Sequence, residues 1–370
     1  MVKRRILLVV PRLNIGGAES YVLTTAVGLA RRGHTVYVAS WGGKLVDKLA
    51  NAGIRHYLVP IRLNSYLASW PLEYIIKKHD IELVHANSAA AGFAALAVCR
   101  RLSIPLVYTA HGVFGHTEKE RKLFTADKVI CVSEFSRRYS LEHGGTEDKL
   151  VTIYNGIDLS QFVPATPAQA MAARRQLGLD AADFVIGIVS RIKDLKKKGH
   201  GDIINMLHKY KDQQAGNWRL LVVGKGRGLS ELKEKVANLG LSKQVCFVGH
   251  STEVQQLMPA IDVLVLPSSF ETFGLVLVEA MALAKPAITY AVGGTPEAVQ
   301  DGVTGFLIPK NDIDKLYEKL NLLYENRDLA DKLGQNGLER VKELFDSERM
   351  LDRVLTVYEN VCRQRKLRQD

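Results

Sequence analysis

Short apolar runs alternate with longer amphipathic stretches along the whole chain. RILLVV is followed by AESYVLTTAVGLARRG and then TVYVAS, and further on come IELVHAN, PLVYTAH and KVICVS. Each run has the length of a buried strand, and each is followed by a connection long enough for a crossover helix, which predicts a parallel, doubly wound sheet. The alternation starts afresh at FVIGIVS and continues through WRLLVVGKG, VCFVGH, DVLVLP and PAITY. Two such series predict an α/β chain of two domains. The turn-rich, proline-containing segment 155–169, NGIDLSQFVPATPAQ, predicts the boundary, with residues 1–165 before it and 166–346 after it. Residues 347–370 contain SERMLDRVLTVYENVCRQRK, an amphipathic helix with a basic tail.

With 370 residues and 47% hydrophobic content, each domain can bury its own core. The cysteines, Cys99, Cys131, Cys246 and Cys362, are far apart and form no Cys-x-x-Cys pair, which argues for a reducing compartment and against a zinc site. The opening MVKRRILLVVPRLN carries the charge of a signal peptide, but its apolar run is short and stops at a proline, so it reads as a first strand. No apolar stretch approaches the roughly 18 residues of a spanning helix. These features predict a cytoplasmic protein, or one peripheral to a membrane.

Charge adds a direction. Of the net +11, residues 1–165 carry +8 and the remainder +3. Such a field attracts nucleic acid, anionic lipid or a phosphorylated substrate. Aromatic-basic interleaving and a helix-turn-helix pattern are both missing, so no nucleic-acid partner is expected. Residues 69–79, SWPLEYIIKKH, and 114–124, FGHTEKERKLF, mix apolar and charged positions. Both could rest on an acidic membrane surface, although a plain surface helix over a core is the favoured reading.

Four stretches carry candidate chemistry. After DVLVLP comes SSFETFGLVLVEAMA, residues 268–282, with Glu271 in the loop and Glu279 on the following helix, roughly 10 Å apart. Two carboxylates with a helix N-terminus between them suit a sugar, a phosphate and a ribose; a capping box with Ser268 as cap and Glu271 reaching back is the alternative. In NIGGAES, Gly16 and Gly17 open a helix where backbone could approach an anion or simply turn. It is not a GxGxxG fingerprint and lacks a clear acidic residue about 20 positions on, which rules out a nicotinamide site. His111, with Gly112 after it, stands at the end of PLVYTAH, where parallel sheets bind ligands, unless it is a structural hydrogen-bonder. In GIVSRIKDLKKKGH, Arg191 and the lysines 196–198 are either fixed cations for a leaving diphosphate or a solvated charge run. Asp312 and Asp314 open an obvious helix and read as cap and dipole partners, so no metal site is expected.

ETFGLVLVE resembles the Glu-x7-Glu motif of the retaining glycosyltransferases of family 4, the glycosyl transferases group 1. The ordered set of Gly-Gly, His-Gly, Asn-Gly, Arg to Lys-Gly, Glu-x7-Glu and Gly-Gly-x-Pro-Glu spreads the resemblance over nearly the whole chain. It implies the GT-B fold: two Rossmann-like doubly wound parallel-sheet domains facing across a cleft, the first for the acceptor, the second for the donor, with the C-terminal helix crossing back to the first. By the same resemblance Glu271 and His111 hold the donor sugar, Glu279 the ribose, and Arg191 and Lys198 the leaving diphosphate. The loop between Arg191 and Lys198 is about a residue longer than is common in the family, which leaves Lys197 and Lys198 unseparated. Gly16 and Gly17 would face the phosphates and acceptor, and Gly249 and His250 the base. Phe273, Gly274 and Leu275 complete the donor-binding set, and Gly293 and Gly294 serve tight turns.

The resemblance further implies a metal-independent, cofactor-free hexosyltransferase that needs no protein base. Its donor would be a UDP-sugar, with a GDP-sugar as second choice. The acceptor would be a saccharide or a lipid-linked molecule. The positive charge of the first domain, and not the resemblance, suggests an anionic one, as in cell-envelope glycan or glycolipid synthesis, with the enzyme in the cytoplasm or at the inner face of the plasma membrane, touching it through the first domain. Two rivals stand beside this reading: a nucleotide-sugar epimerase of the same fold and a non-catalytic, transferase-like partner subunit. A glycosidase would need two carboxylates flanking one bond at roughly 5–10 Å.

Overall fold

The computed structural model describes residues 2–14, 16–63, 65–113, 118–251 and 253–367. The chain divides into two compact units, Met1–Asp158 with Phe345–Asp370, and Leu159–Leu344. These divisions lie slightly before positions 165 and 346. The backbone gives the reason: Ile157 N donates to Phe345 O (2.9 Å) and Ser347 N to Ile157 O (3.0 Å), which ties both segments into the first unit.

The first unit is built on a parallel sheet of β1 (Arg5–Val9), β2 (Thr35–Ser40), β3 (Arg55–Leu58), β4 (Leu83–Ala86), β5 (Leu106–Ala110), β6 (Lys128–Cys131) and β7 (Leu150–Thr152), in the order β3-β2-β1-β4-β5-β6-β7. Helices cover both faces, which is why the central strands are apolar apart from Arg5 at the entry of β1 and the buried His85 and Thr109. Leu7, Val9, Val84 and Ala86 face the helices Ser65–Lys78 and Ala89–Arg101, while Ile6, Leu8, Val36 and Val38 face the helix Gly17–Arg31.

That second face is completed by the C-terminal helix Ser347–Lys366, through Leu351, Val354 and Tyr358. Gly28 allows the contact: a Cβ there would lie 2.1 Å from Leu351 Cδ1. Arg32 pairs with Glu348 (2.7 Å) and Asp352 (2.8 Å) at the rim. Deeper in, Tyr358 Oη is hydrogen-bonded to Nδ1 of the fully buried His85 (2.6 Å), whose Nε2 meets Thr109 Oγ1 (2.6 Å).

The second unit has β8 (Phe184–Val189), β9 (Trp218–Val223), β10 (Val245–Gly249), β11 (Val263–Leu266), β12 (Ala287–Tyr290) and β13 (Gly305–Ile308), all parallel, in the order β10-β9-β8-β11-β12-β13. Ile186, Ile188, Val263, Val265 and Ile288 form one core with the helices His200–Lys209 and Ile313–Glu325. The apolar helix Leu275–Ala282 packs on Arg327–Leu344, where Gly337 leaves room for Met281.

In both sheets the strand order reverses at one place, between β1 and β4 and between β8 and β11. Crossovers leave such a point in opposite directions and open a crevice at the carboxyl ends of the strands. Among the described residues no helix is long and apolar enough to cross a membrane. His116 and the start of the 114–124 segment lie outside the described residues. The rest of that segment forms the helix Glu118–Leu123, and Leu123 and Phe124 are buried in the core, so this part does not offer them to a membrane.

Candidate active site

In the second unit the loops leaving β8 and β11 lie against each other at the strand-order reversal. Gly199 makes this closeness feasible. Its φ is 73°, and a Cβ there would sit 2.0 Å from Pro267 O. Asp194 Oδ1 folds the lysine loop back on itself by accepting from Lys196 N (3.1 Å) and Lys197 N (2.6 Å). Ser269 N then donates to Lys197 O (3.2 Å) and joins the two loops.

The outcome is an ion pair. Lys198 Nζ donates to Glu271 Oε1, and the same oxygen accepts from Ser268 Oγ (2.8 Å). The side chain of Glu271 is only 12% exposed and Ser268 is fully buried, so these two donors supply the partners that a carboxylate needs at that depth. The backbone is fixed as well. Gly294 N donates to Glu271 O (3.0 Å), and Gly293, at φ 57°, stands so close that a Cβ would lie 1.9 Å from that oxygen. Ser268 and Glu271 bond each other instead of capping a helix. The helix Leu275–Ala282 is capped by Gly274, at φ 87°, without any side-chain bond. Phe273 and Gly274 are buried beside it and Leu275 is half-buried.

Cations crowd the same loop. Burial lowers the Lys193 pKa, and the charges of Lys197, Arg191, Arg227 and Lys198 lower it further. Arg227 belongs to the loop after β9, and its Nε donates to Lys193 O (3.2 Å). Glycines in that loop let it lie on the cation loop: a Cβ on Gly224 would be 1.9 Å from Ser190 O, and one on Gly226 would be 2.0 Å from Ile192 O. Lys193 and Arg227 were not picked out by the motifs, and the glycine-spaced GKGRG following an apolar run was the available signal. Gly249, at the end of β10, accepts from Gly224 N (2.6 Å), and His250 follows it.

Glu279 lies on the helix Leu275–Ala282. It is half-buried, and desolvation pushes its carboxyl up to about 7. Asp312 caps the helix Ile313–Glu325 by accepting from Lys315 N (2.8 Å), and Asp314 accepts from Lys209 and Tyr210. Among the described residues no group of three or more His, Cys, Asp or Glu side chains is placed to hold a metal ion.

His111, Gly16 and Gly17 belong to the other unit, at the carboxyl ends of β5 and β1. Gly16 is extended and accepts the first helical bond from Ser20 N (2.9 Å). His111 Nε2 stands 3.5 Å from Asn87 Oδ1, and its ring meets Tyr21 edge-on at 4.7 Å. Burial pushes both His111 and His85 down to about 3, so both imidazoles are neutral over the ordinary pH range. Asn87 is itself fixed by donating to His85 O (3.0 Å). Tyr21 and Asn87 are thus supports of His111 that no motif had marked.

The fold defined by these two parallel-sheet units is GT-B. Residues 170–340 match the glycosyl transferases group 1 and residues 15–161 match glycosyltransferase family 4. The chain belongs to this glycosyltransferase family. It is 31% identical to D-inositol 3-phosphate glycosyltransferase of Mycobacteroides abscessus, over 80% of this chain and 74% of that protein. It is 27% identical to N-acetyl-alpha-D-glucosaminyl L-malate synthase of Bacillus anthracis, over 95% of this chain and 96% of that protein. Among solved structures, Anabaena HepE in complex with UDP and glucose superposes with a TM-score of 0.86 at 26% identity, covering 96% of this chain and 99% of that one.

Proposed function

We propose that this glycosyltransferase is a retaining, metal-independent hexosyltransferase that uses a UDP-sugar and an anionic saccharide or lipid-linked acceptor. The observation that carries the reading is the Lys198–Glu271 pair, held among further cations where β8 and β11 diverge. As the bond from the sugar's anomeric carbon to the diphosphate breaks, negative charge builds on the leaving oxygen, and Arg191 and Lys198 stabilise it. The departing phosphate oxygen takes the proton of the acceptor hydroxyl as the new glycosidic bond forms on the same face. Glu271 accepts from hydroxyls of the donor sugar, and Glu279 accepts from the ribose. His111, being neutral, hydrogen-bonds the sugar without opposing the positive charge that develops on its ring.

UDP in the HepE complex supports a uridine donor. The names of two relatives, an L-malate synthase and an inositol 3-phosphate glycosyltransferase, support an acceptor with an anionic group. The +8 charge of residues 1–165 agrees with such an acceptor binding the first unit, as in cell-envelope glycan or glycolipid synthesis at the inner membrane face.

Calorimetric titration with UDP, GDP and ADP, in EDTA and again with magnesium, tests the donor. UDP should bind tightest and equally well without metal, and strict dependence on magnesium would overturn metal independence. The anomeric configuration of the product, read by NMR, tests retention. Conversion of the donor with no acceptor present would favour an epimerase.

A further inference from the structure

Five of the thirteen large apolar side chains exposed among the described residues fall within residues 63–74: Leu63 (67%), Tyr66 (69%), Leu67 (56%), Trp70 (71%) and Tyr74 (59%). The cause is an excess of apolar positions on one helix. In Ser65–Lys78, Ala68, Leu72, Ile75 and Ile76 are already turned to the sheet and buried. Tyr66, Trp70, Tyr74 and Lys78 follow at intervals of four and form one ridge on the outer side, with Leu67 beside it.

Both ends of the ridge are basic. Arg62 precedes it and is exposed, and Lys77 and Lys78 close it. The one acidic residue of the helix, Glu73, is half-buried and neutralised by Lys77 (2.8 Å) and Arg101. Lys78 Nζ donates to Tyr74 Oη (3.0 Å), so cation and aromatic tip lie at the same level.

We infer that this ridge docks the protein on a bilayer surface containing anionic lipid. Tyr and Trp have an apolar body and a polar tip and settle at the level of the headgroups, Leu reaches the acyl boundary, and Lys and Arg meet the phosphates. Charge complementarity decides among occupants. A second copy docked ridge to ridge by two-fold symmetry would bring cations against cations. A glycan would use the aromatic faces and gain little from Leu63 and Leu67. An anionic bilayer uses all three side-chain types. The helix follows β3 in a parallel sheet, so its start lies at the same sheet end as His111 and Gly16, and a docked bilayer lies next to that end.

The test is co-sedimentation of the full chain with vesicles of phosphatidylcholine alone and of phosphatidylcholine mixed with phosphatidylglycerol, read together with tryptophan emission. Trp218 is buried and Trp41 half-buried, which leaves Trp70 to report. Expected are binding to the anionic vesicles that weakens with salt, a blue shift of emission, and a loss of partitioning of roughly tenfold or more in both Trp70→Ser/Tyr74→Ser and Lys77→Gln/Lys78→Gln. These side chains are exposed, and unchanged UDP affinity would show that the variants remain folded. Failure of the wild type to bind anionic vesicles, or equal binding to neutral ones, would overturn the inference. So would lipid-free self-association that Trp70→Ser/Tyr74→Ser abolishes, which would assign the ridge to a second copy. Catalysis is not needed for any of these readouts, so they stand apart from the donor titration.

Discussion

Lys198 and Glu271, 73 residues apart, meet through Nζ and Oε1 at the divergence of β8 and β11, and Ser268 Oγ donates to the same carboxylate oxygen. One side chain with the charge to face a diphosphate thereby orients another with the oxygens to accept from a sugar. Neither can move without releasing its partner.

Changing either residue should therefore cost more in turnover than in fold. Lys198→Ala and Glu271→Gln are each expected to lower kcat/KM for the donor by about 100- to 1000-fold, while Ser268→Ala, which removes only the third member, should cost about tenfold. Steady-state kinetics with thermal unfolding on the same samples separates the two effects. Full turnover in Lys198→Ala would remove the pair from the mechanism.

Gly293 offers a test that touches no functional side chain. Alanine there would be strained at φ 57° and would push its Cβ into Glu271 O. Gly293→Ala should lose about 2 kcal/mol or more of stability and bind UDP-sugar more weakly than UDP alone. Differential scanning calorimetry and titration with both ligands would show it.

Glu279 makes stability depend on pH. Its carboxyl ionises near 7 in the folded protein, against 4.5 ordinarily, so between those values the folded state holds the proton that the unfolded chain has released. Stability must then fall as pH rises through this window, and above it the desolvated carboxylate is charged at full cost. Glu279→Gln should raise stability by about 2 kcal/mol near pH 8 and leave it nearly unchanged near pH 4.5. An equal shift at both pH values would point to packing instead.

Tyr358→Phe should cost about 1–3 kcal/mol, because it leaves Nδ1 of the buried His85 without its partner. Urea unfolding would measure this, and His85→Leu/Tyr358→Phe should recover part of the loss.

The central strands were readable in the chain because helices cover both of their faces, leaving no polar position within RILLVV or DVLVLP after the leading Arg5 and Asp262 to break the run. β3, β7 and β13 were not read as strands. They sit at or next to a sheet edge and are three or four residues long, and β3, RHYL, is too exposed to need an apolar run. Within the candidate site, residue types could be listed from motifs, but their meetings could not. The contact between Lys198 and Glu271 depends on Gly199 lying against Pro267 O, and the link from Arg227 to Lys193 on glycines that fit another loop's carbonyls. Those are tertiary relations without a local period. The exposed ridge of residues 66–74 was legible only in part: segment 69–79 stood out, but a plain surface helix was the favoured reading, because its apolar residues look like core until the sheet has claimed Ala68, Leu72 and Ile75.

The C-terminal helix, packed on Gly17–Arg31, sets the order in which the protein can mature during synthesis. Residues translated earlier form a sheet with one face covered only in part, by Gly17–Arg31, and the segment that completes the cover, Phe345–Asp370, is translated only after all of Leu159–Leu344. The second unit, continuous in the chain, can finish folding while the first still waits. The half of the enzyme that is made first is completed last, and a chain released before the Ser347–Lys366 helix leaves the core around Ile6, Leu8 and Tyr21 incompletely covered, within reach of chaperones and proteases.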